Sequence, residues 1–517
     1  MITLKSYLNG KWQAGEGEGN LMLNPTTEET LASASTRGLD LKSALAFGRE
    51  KGGATLREMS FVERGALLKK MSQVFHEKRE ELIQISLDNG GTTRKGAKFD
   101  IDGAIGTLAY YASLGIKLGE KTLLTDGEPE ALMRAPRFVG LHIRAPRRGI
   151  AVHINAFNFP MWGMYEKAAC ALLAGMPVMS KPGTSTALLA FRSVEMLVEQ
   201  DLLPAGTFQM LCGSAGDLLD HLEEQDVLAF TGGASTGAMM RGHRNIIANN
   251  VRVNIEADSL NAVVLGDASD ETYSTFLRHI ETEVTQKTGQ KCTATRRIFV
   301  PADRIDEVEA ELKEIYGSLK VGAPDAEGVH MGPLATSNQL RDANEGLEKL
   351  KEAGAKLVFG EGSDVTPLAA EKGKGFFFGP VLLRADQPRE ADAVHDVEVF
   401  GPVQTLMPYD SIDEAIALVA RGKGGLVCSV YTDDKKETAA LLTGLSPFHG
   451  RVLLTSEKVA ETGISPGMAL PSCLHGGPGR AGGGEELGGE RGMHFYMQRT
   501  AIQGDRSVLE RHYGLRD

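Results

Sequence analysis

Cysteine is scarce in this chain and follows no pattern. The five that occur, Cys170, Cys212, Cys292, Cys428 and Cys473, are odd in number and widely spaced, with no C-x-x-C and no cysteine-histidine cluster along the sequence. That argues against a disulfide framework or a zinc site, so no metal is expected and a reducing, cytoplasmic setting is the default. No run of about 18 apolar residues is present, and the start Met1-Ile-Thr-Leu-Lys-Ser-Tyr7 lacks the apolar centre of a signal peptide. Neither a membrane span nor export is expected. Positive charge is also short: 56 Lys and Arg stand against 68 Asp and Glu, a formal net charge of −12. Nucleic acid and anionic membrane surfaces attract a basic field, so small molecules are the expected partners. The basic runs Arg134 to Arg137 and Arg144 to Arg148 alternate with Pro and apolar residues and read as faces of extended strands. Aromatic residues are only 6%, whereas glycine numbers 61 in 517 residues. With 42% hydrophobic and 24% charged residues, this is the balance of a globular α/β chain of two or three domains, rich in tight turns.

Along the chain, Asn9-Gly10 between Tyr7 and Trp12 predicts a hairpin. Apolar residues at helical spacing predict one helix from Ser60 to about Asn89, with Ser60 as N-cap, and another from Gly103 to Ser113. An extended basic stretch from Leu132 to Val152 ends in a β-branched run to Ile154, and Asn155 to Pro160 then places a carboxamide, Asn158, on a turn at the strand's end. Helix Met164 to Ala174, strand Met176 to Ser180, loop Lys181 to Thr184, strand Thr207 to Leu211, turn Gly213 to Gly216 and strand Val227 to Thr231 complete a βαβαβ pattern of the dinucleotide-binding type. Neither G-x-G-x-x-G at the first turn nor the nucleotide triphosphatase loop is present. Gly232 to Gly237 opens a helix and suits a phosphate, yet Gly233 to Gly237 also spells G-x-S-x-G around Ser235, a hydrolase signature, and plain helix capping is a third reading.

Strand Val253 to Glu256 ends in the carboxylates Glu256 and Asp258, a long polar helix is predicted from Ala268 to Thr288, and Cys292 follows in Gly289-Gln-Lys-Cys-Thr293. A cysteine among small and polar residues suits either attack or ordinary packing, and only the thiolate attacks. A second α/β domain follows, with helices over Arg304 to Lys313 and Ser337 to Ala353 and strands at Lys356 to Phe359, Gly379 to Leu383 and Gly425 to Tyr431. The glycine-rich stretch from His475 to Gly489 reads equally as a flexible linker or as a shaped loop near a site.

Six motifs in order, Asn158-Phe-Pro160, Lys181-Pro182, Phe230-Thr-Gly232 with Gly237, Glu256, Gly289-Gln290-x-Cys292 and Glu398-x-Phe-Gly-Pro402, resemble the aldehyde dehydrogenase superfamily over most of the chain. The stretches Ile154 to Pro160, Glu256 to Asn261 and His475 to Gly489 are similar, more narrowly, to bacterial dehydrogenases of ring-opened CoA-ester semialdehydes from the phenylacetyl-CoA and benzoyl-CoA routes. The resemblance implies the aldehyde dehydrogenase fold: a Rossmann-like cofactor domain (1–131 and 149–257), an α/β catalytic domain (258–475) and a small β oligomerisation element (132–148 and 490–517) that favours a homodimer. With Asp517 as last residue there is no room for the hydratase domain often fused in the phenylacetate branch, which suggests a stand-alone version, the benzoyl-CoA branch or a first half only.

By resemblance, Cys292 is the nucleophile, Asn158 with the Cys292 N–H the oxyanion donor, and Glu256 the base that hydrolyses the thioester. Lys181 and Glu398 hold ribose hydroxyls and Gly232 and Gly237 admit the pyrophosphate. Asn155, Thr184, Gly213, Gly216, Thr231 and Phe400 complete the cofactor set. Two departures stand out. Ala257-Asp258-Ser259 replaces the usual Gly-Gly-Lys after the base, and Thr184 replaces a ribose-binding glutamate. Without that carboxylate a 2′-phosphate is tolerated, so NADP is expected over NAD. Rival readings are a dehydrogenase of other specificity, a CoA-acylating enzyme, a cofactor-independent esterase using Ser235 or Cys292, and a non-catalytic binding protein. Arg296, Arg297, Arg480 and His475 are candidates for the phosphates of a CoA ester, against ordinary surface or loop contacts.

Overall fold

A computed structural model describes residues 2–513. Two seven-stranded sheets organise it. In the first, Arg252–Glu256, Val227–Thr231, Ala151–Ile154, Val178–Lys181 and Phe208–Met210 run parallel in that order. The hairpin Ser6–Leu8 and Lys11–Gln13 continues the sheet antiparallel. Its turn has Asn9 and Gly10 at φ 54° and 70°, the left-handed pair that lets a two-residue connection match strand twist. Ala151–Ile154 is buried along its whole length; the next strand of the chain, Val178–Lys181, pairs on one side of it and the later strand Val227–Thr231 on the other. Strand order therefore reverses beside it, and the crevice at the carboxyl ends of such strands is where open α/β sheets take ligands.

The second sheet runs Lys356–Phe359, Val381–Arg384, Val403–Tyr409, Arg297–Pro301, Ala262–Leu265, Gly425–Tyr431 and His449–Thr455, all parallel except the first. A smaller sheet joins Met497–Asp505 to Phe138–Pro146 across nine antiparallel pairs, with Leu124–Thr125 and Glu130–Ala131 also on Phe138–Pro146. Met497–Asp505 is an edge strand that is mostly exposed.

The helix expected from Ser60 to Asn89 is two helices. Ser60 and Glu63 form a capping box at Phe61–Glu77, but Lys78 leaves helical geometry at φ −101° and ψ 15°, and a second helix runs over Arg79–Gly90. Periodicity did not show the break because both pieces present apolar faces to the same long helix, Arg94–Leu118. That helix is longer than the expected Gly103 to Ser113, starting at the Thr93 cap. The helix expected to reach Thr288 stops at Thr285, and Lys287, Thr288 and Gly289 follow at φ 54°, 54° and 68°. Far from linking freely, His475 to Gly489 forms the hairpin Leu474–Gly477 and Gly484–Leu487. Among the described residues no helix is long and apolar enough to cross a membrane.

Candidate active site

Three consecutive left-handed residues aim the loop that carries Cys292. At Gly289 a Cβ would stand 2.5 Å from the Gly401 carbonyl oxygen, so glycine is required there. The loop is braced from inside. Arg296 donates to the carbonyls of Gly289 (2.9 Å), Gly401 (2.7 Å) and Lys291 (3.2 Å). Asn261 donates to the carbonyls of Cys292 (2.7 Å) and Ala294 (3.0 Å). Ser259 holds Asn261 in turn, its hydroxyl donating to Asn261 Oδ1 at 2.6 Å. Lys291 is buried against Glu283 at 3.0 Å. Asn158, at the end of the Ala151–Ile154 strand, reaches the same loop by donating to the Gln290 carbonyl at 3.0 Å.

Around the thiol the structure gathers charges that lie far apart in sequence. Glu256, the last residue of its strand and 1% exposed, lies 3.0 Å from Nε2 of His475 on the glycine-rich hairpin. The same Nε2 is 3.9 Å from Cys292 Sγ, and one ligating atom from each of the three residues lies within 4.8 Å of the others. Burial alone would raise the Glu256 carboxyl, but the His475 imidazolium overrides it and holds Glu256 ionised. His475 is raised correspondingly: burial works against its charge, and Glu256, Glu166 and Glu486 outweigh it. Burial, then the negative Glu256, pushes the Cys292 thiol well up. Beyond Glu256, buried Lys167 pairs with Glu486 at 3.0 Å and Glu166 at 3.3 Å. Burial lifts Glu486 to about 7 against the pull of Lys167. Sequence reasoning missed Glu166, Lys167 and Glu486. A signal existed, since Glu166-Lys167 is a charged pair inside the otherwise apolar buried helix Trp162–Ala174.

Space opens on both sides of the thiol. A cleft of about 670 Å³ at the strand ends is lined by Asn155, Asn158, Thr184, Thr231, Gly232, Glu256, Cys292, Glu398 and Phe400. Lys181, Gly213, Gly216 and Gly237 are not in that lining, but Thr184 Oγ1 donates to the Gly213 carbonyl at 3.1 Å and Lys181 Nζ lies 3.5 Å from Thr184. Lys181 is lowered to about 8 by burial, as expected for a cation with no carboxylate beside it. Asn155 donates to Ser180 at 2.9 Å while its Oδ1 is buried without a partner. Glu398 accepts from the Ser259 N–H at 3.1 Å and stands 3.7 Å from Arg296. Burial lifts its carboxyl to about 7, with Arg296 pulling the other way. Phe400 meets Phe157 edge-on at 5.8 Å. Toward helix Arg94–Leu118, a void of about 40 Å³ beside Cys292, lined by Phe159, Trp162, Lys167 and His475, shares Trp162 and Ala469 with an outer mouth of about 660 Å³. Lys95, Lys98 and Phe99 line that mouth.

Several sequence-based readings change. Gly232 and Gly237 are crowded before any ligand is considered: a Cβ would meet Phe230 Cζ at 2.5 Å and Ile255 Cγ2 at 3.0 Å. Gly233 has open space around its Cβ position instead. The helix Ala234–Arg241 does begin at the cleft, but the Ala234 N–H is taken by Asp258 at 2.8 Å. Asp258 and Ser259 thus have local tasks, helix capping and support of Asn261, which account for the departure at 258 and 259. Ser235 is exposed, and its backbone is absent from the positive-φ residues where a strained nucleophile elbow would place it. Arg296 and Arg297 are buried and spent on backbone carbonyls, so neither reaches a substrate phosphate. Arg480 donates to the carbonyls of His395 and Asp396 and lines the cofactor-side cleft, and His475 sits with the thiol.

This architecture, a thiol between a strand-end cleft and an apolar mouth, is that of an aldehyde dehydrogenase, and the chain belongs to the aldehyde dehydrogenase family, whose model matches residues 12–502. It is an oxidoreductase acting on aldehydes with a nicotinamide cofactor. The chain is 45% identical to 3,4-dehydroadipyl-CoA semialdehyde dehydrogenase of Aromatoleum evansii over 480 residues, covering 92% of this chain and 93% of that protein. Identity to alpha-ketoglutaric semialdehyde dehydrogenase of Bacillus subtilis (strain 168) is 28% over 442 residues, 84% of this chain and 86% of that one. In fold it is similar to an NAD+ complex of aldehyde dehydrogenase from Bacillus cereus, with TM-score 0.85 at 22% identity, covering 98% and 97% of the two chains.

Proposed function

We propose that this dehydrogenase oxidises a CoA-ester semialdehyde to the carboxylic acid, with Cys292 as nucleophile, Glu256 as hydrolytic base and Asn158 as oxyanion donor. The observation that carries the chemistry is the placing of Cys292 Sγ within 3.9 Å of His475 and beside the ionised Glu256, between two separate openings. Cys292 attacks the carbonyl carbon, and the resulting alkoxide is held by the Asn158 carboxamide and the Cys292 N–H. Such donors contribute roughly 10²–10³ in rate. A bound nicotinamide supplies the hydride acceptor. Once the hydride has left, Glu256 takes a proton from water, which attacks the thioester and frees the acid.

Cofactor binding fits the cleft. Lys181 is a partly buried cation with no carboxylate beside it, Asn155 Oδ1 lacks a donor, and Gly233 has open space at its Cβ position. Lys181, Thr184 and Glu398 would hold ribose groups, with Asn155, Gly213, Gly216, Thr231, Gly232, Gly237 and Phe400 around them. Lys181 faces no carboxylate at position 184, which supports NADP over NAD. The CoA ester is supported by the similarity to the Aromatoleum protein and by Lys95 and Lys98 at the outer mouth, where phosphates of a long thioester would find cations. The domain division proposed is 1–131 with 149–257 for the cofactor, 258–475 for catalysis, and 132–148 with 490–517 as the dimer element, of which 514–517 lie outside the described residues. Its exposed edge strand and exposed Leu132, Met133 and Phe138 support a homodimer. Five free cysteines support a reducing, cytoplasmic setting.

The test is steady-state kcat/KM of purified enzyme for ring-opened CoA semialdehydes and for simple aldehydes, with each cofactor. Preference for the CoA ester and for NADP is expected. Higher efficiency on simple aldehydes would remove the substrate reading, and preference for NAD the cofactor reading.

A further inference from the structure

Cys292 has no helix N-terminus behind it. It lies in a turn after the left-handed residues 287–289, and burial with the Glu256 charge keeps its proton on sulfur. A thiolate in such a place needs a cation nearby. Most cations facing it are already committed. Lys167, on helix Trp162–Ala174, is bracketed by Glu486 of the glycine-rich hairpin and its neighbour Glu166. Lys291 is held by Glu283 and by Gln286 at 2.8 Å. Arg296 serves the loop carbonyls and faces Glu398. Arg451, on strand His449–Thr455, donates to the carbonyls of Met468 and Pro466.

His475 differs from these. It is 6% exposed, it faces Glu256 at 3.0 Å and Cys292 Sγ at 3.9 Å through one nitrogen, and it lines the void beside the thiol. Neither carboxylate oxygen of Glu256 has an aligned hydrogen bond despite that short approach. The ring nitrogen thus stands between the carboxylate and the thiol, within reach of both.

We propose that His475 is the thiol-activating cation of this enzyme, an imidazolium that passes from Glu256 to the Cys292 thiolate when Glu256 takes the thiol proton. In that step the S–H bond breaks and an O–H bond forms on Glu256. The electron pair stays on sulfur, and the net charge of the three side chains is unchanged. The imidazolium loses its carboxylate partner and gains the thiolate. Glu256 passes this proton to solvent water through the cleft it lines, and only then serves as base toward the hydrolytic water. His475 is thus a catalytic residue in contact with the reacting sulfur. Burial opposes its charge, and Glu256, then Glu166 and Glu486, outweigh it; when Glu256 is protonated the thiolate takes over its part.

The proposal rests on Cys292 being the nucleophile, and the test separates the two. The rate of iodoacetamide modification of Cys292 is followed from about pH 6 to about pH 10 by peptide mass spectrometry, which resolves it from exposed Cys473. His475→Gln and His475→Phe should slow modification at neutral pH by about tenfold or more, and move its rise upward by about one pH unit or more. The burst of reduced cofactor should slow in proportion while cofactor affinity stays the same. If His475→Phe loses cofactor binding, the near-isosteric His475→Gln is read alone. Wild-type modification profiles in the His475 variants overturn the proposal even if Cys292→Ala is inactive. Retained turnover in Cys292→Ala overturns the nucleophile assignment instead.

Discussion

The cleft that reaches Cys292 and the outer mouth beyond the small void beside it are nearly equal in size, about 670 Å³ and about 660 Å³, but they are built from different parts of the chain. The cleft is made of strand ends and the loops after them, so backbone, glycine and single polar side chains line it, as with Asn155, Thr184, Gly232 and Glu398. The outer mouth is made by helix Arg94–Leu118, the start of helix Trp162–Ala174 and residues 468–472, so long side chains such as Lys95, Lys98, Phe99 and Trp162 line it. The first surface is fixed by hydrogen bonds within the fold. The second is set by side chains that change without disturbing a sheet. A shared chemistry with variable specificity follows from that division, because the thiol stands between them while only one wall has to be altered.

The largest expected effect comes from removing what the two sides share. Cys292→Ala should lower turnover by at least about 10⁴-fold, with cofactor affinity intact. Stopped-flow and cofactor titration together read both quantities, and loss of cofactor binding would mean that the cleft and the thiol loop are not separable. Glu256→Gln should give a burst approaching one reduced cofactor per active site, formed more slowly than in wild type, and then a stall. Steady-state turnover should fall by roughly 10²–10⁴. Unaltered steady-state turnover would remove Glu256 from the mechanism.

An intermediate effect concerns the scaffold of the loop. Arg296 ties Gly289 and Lys291 to Gly401, two residues before the second-sheet strand that starts at Val403, and faces Glu398 in the cofactor cleft. Arg296→Met leaves three carbonyls without their donor and Glu398 without its cation. A loss of about 3 kcal/mol in denaturant unfolding is expected, together with weaker cofactor binding. Stability within about 0.5 kcal/mol of wild type would show that the carbonyls find other donors.

How much of this was legible in the sequence follows the same division. The strand-end residues could be read from linear motifs because a βαβ unit fixes each at the end of its own strand, so Asn158, Lys181 and Glu256 fell where spacing put them. What spacing could not show was contact across the chain. His475 meets Cys292 over 183 positions, brought there by a hairpin whose glycines looked like linker. Arg296 resembled a substrate cation because a sequence does not reveal that its guanidinium points inward. The break at Lys78 was invisible for the opposite reason, since both helices keep one apolar period.

The smallest effect lies at the outer mouth, where the side chains are exposed and solvent screens their charge. Lys95 is exposed and Lys98 partly so, and both line the opening that leads by Trp162 to the thiol. Cations at such a rim contribute about 0.5–1 kcal/mol each to an anion, and salt weakens them further. The double variant Lys95→Ala/Lys98→Ala should therefore raise KM for a CoA-ester semialdehyde about five- to thirtyfold at low ionic strength. The kcat, and the KM for an uncharged short aldehyde, should be unmoved, because nothing in the mouth touches the reacting atoms. The difference between the two substrates should shrink as salt is added. An equal rise in KM for both substrates would mean that the lysines shape the mouth rather than meet phosphate, and no change for either would place the CoA nucleotide elsewhere on the surface.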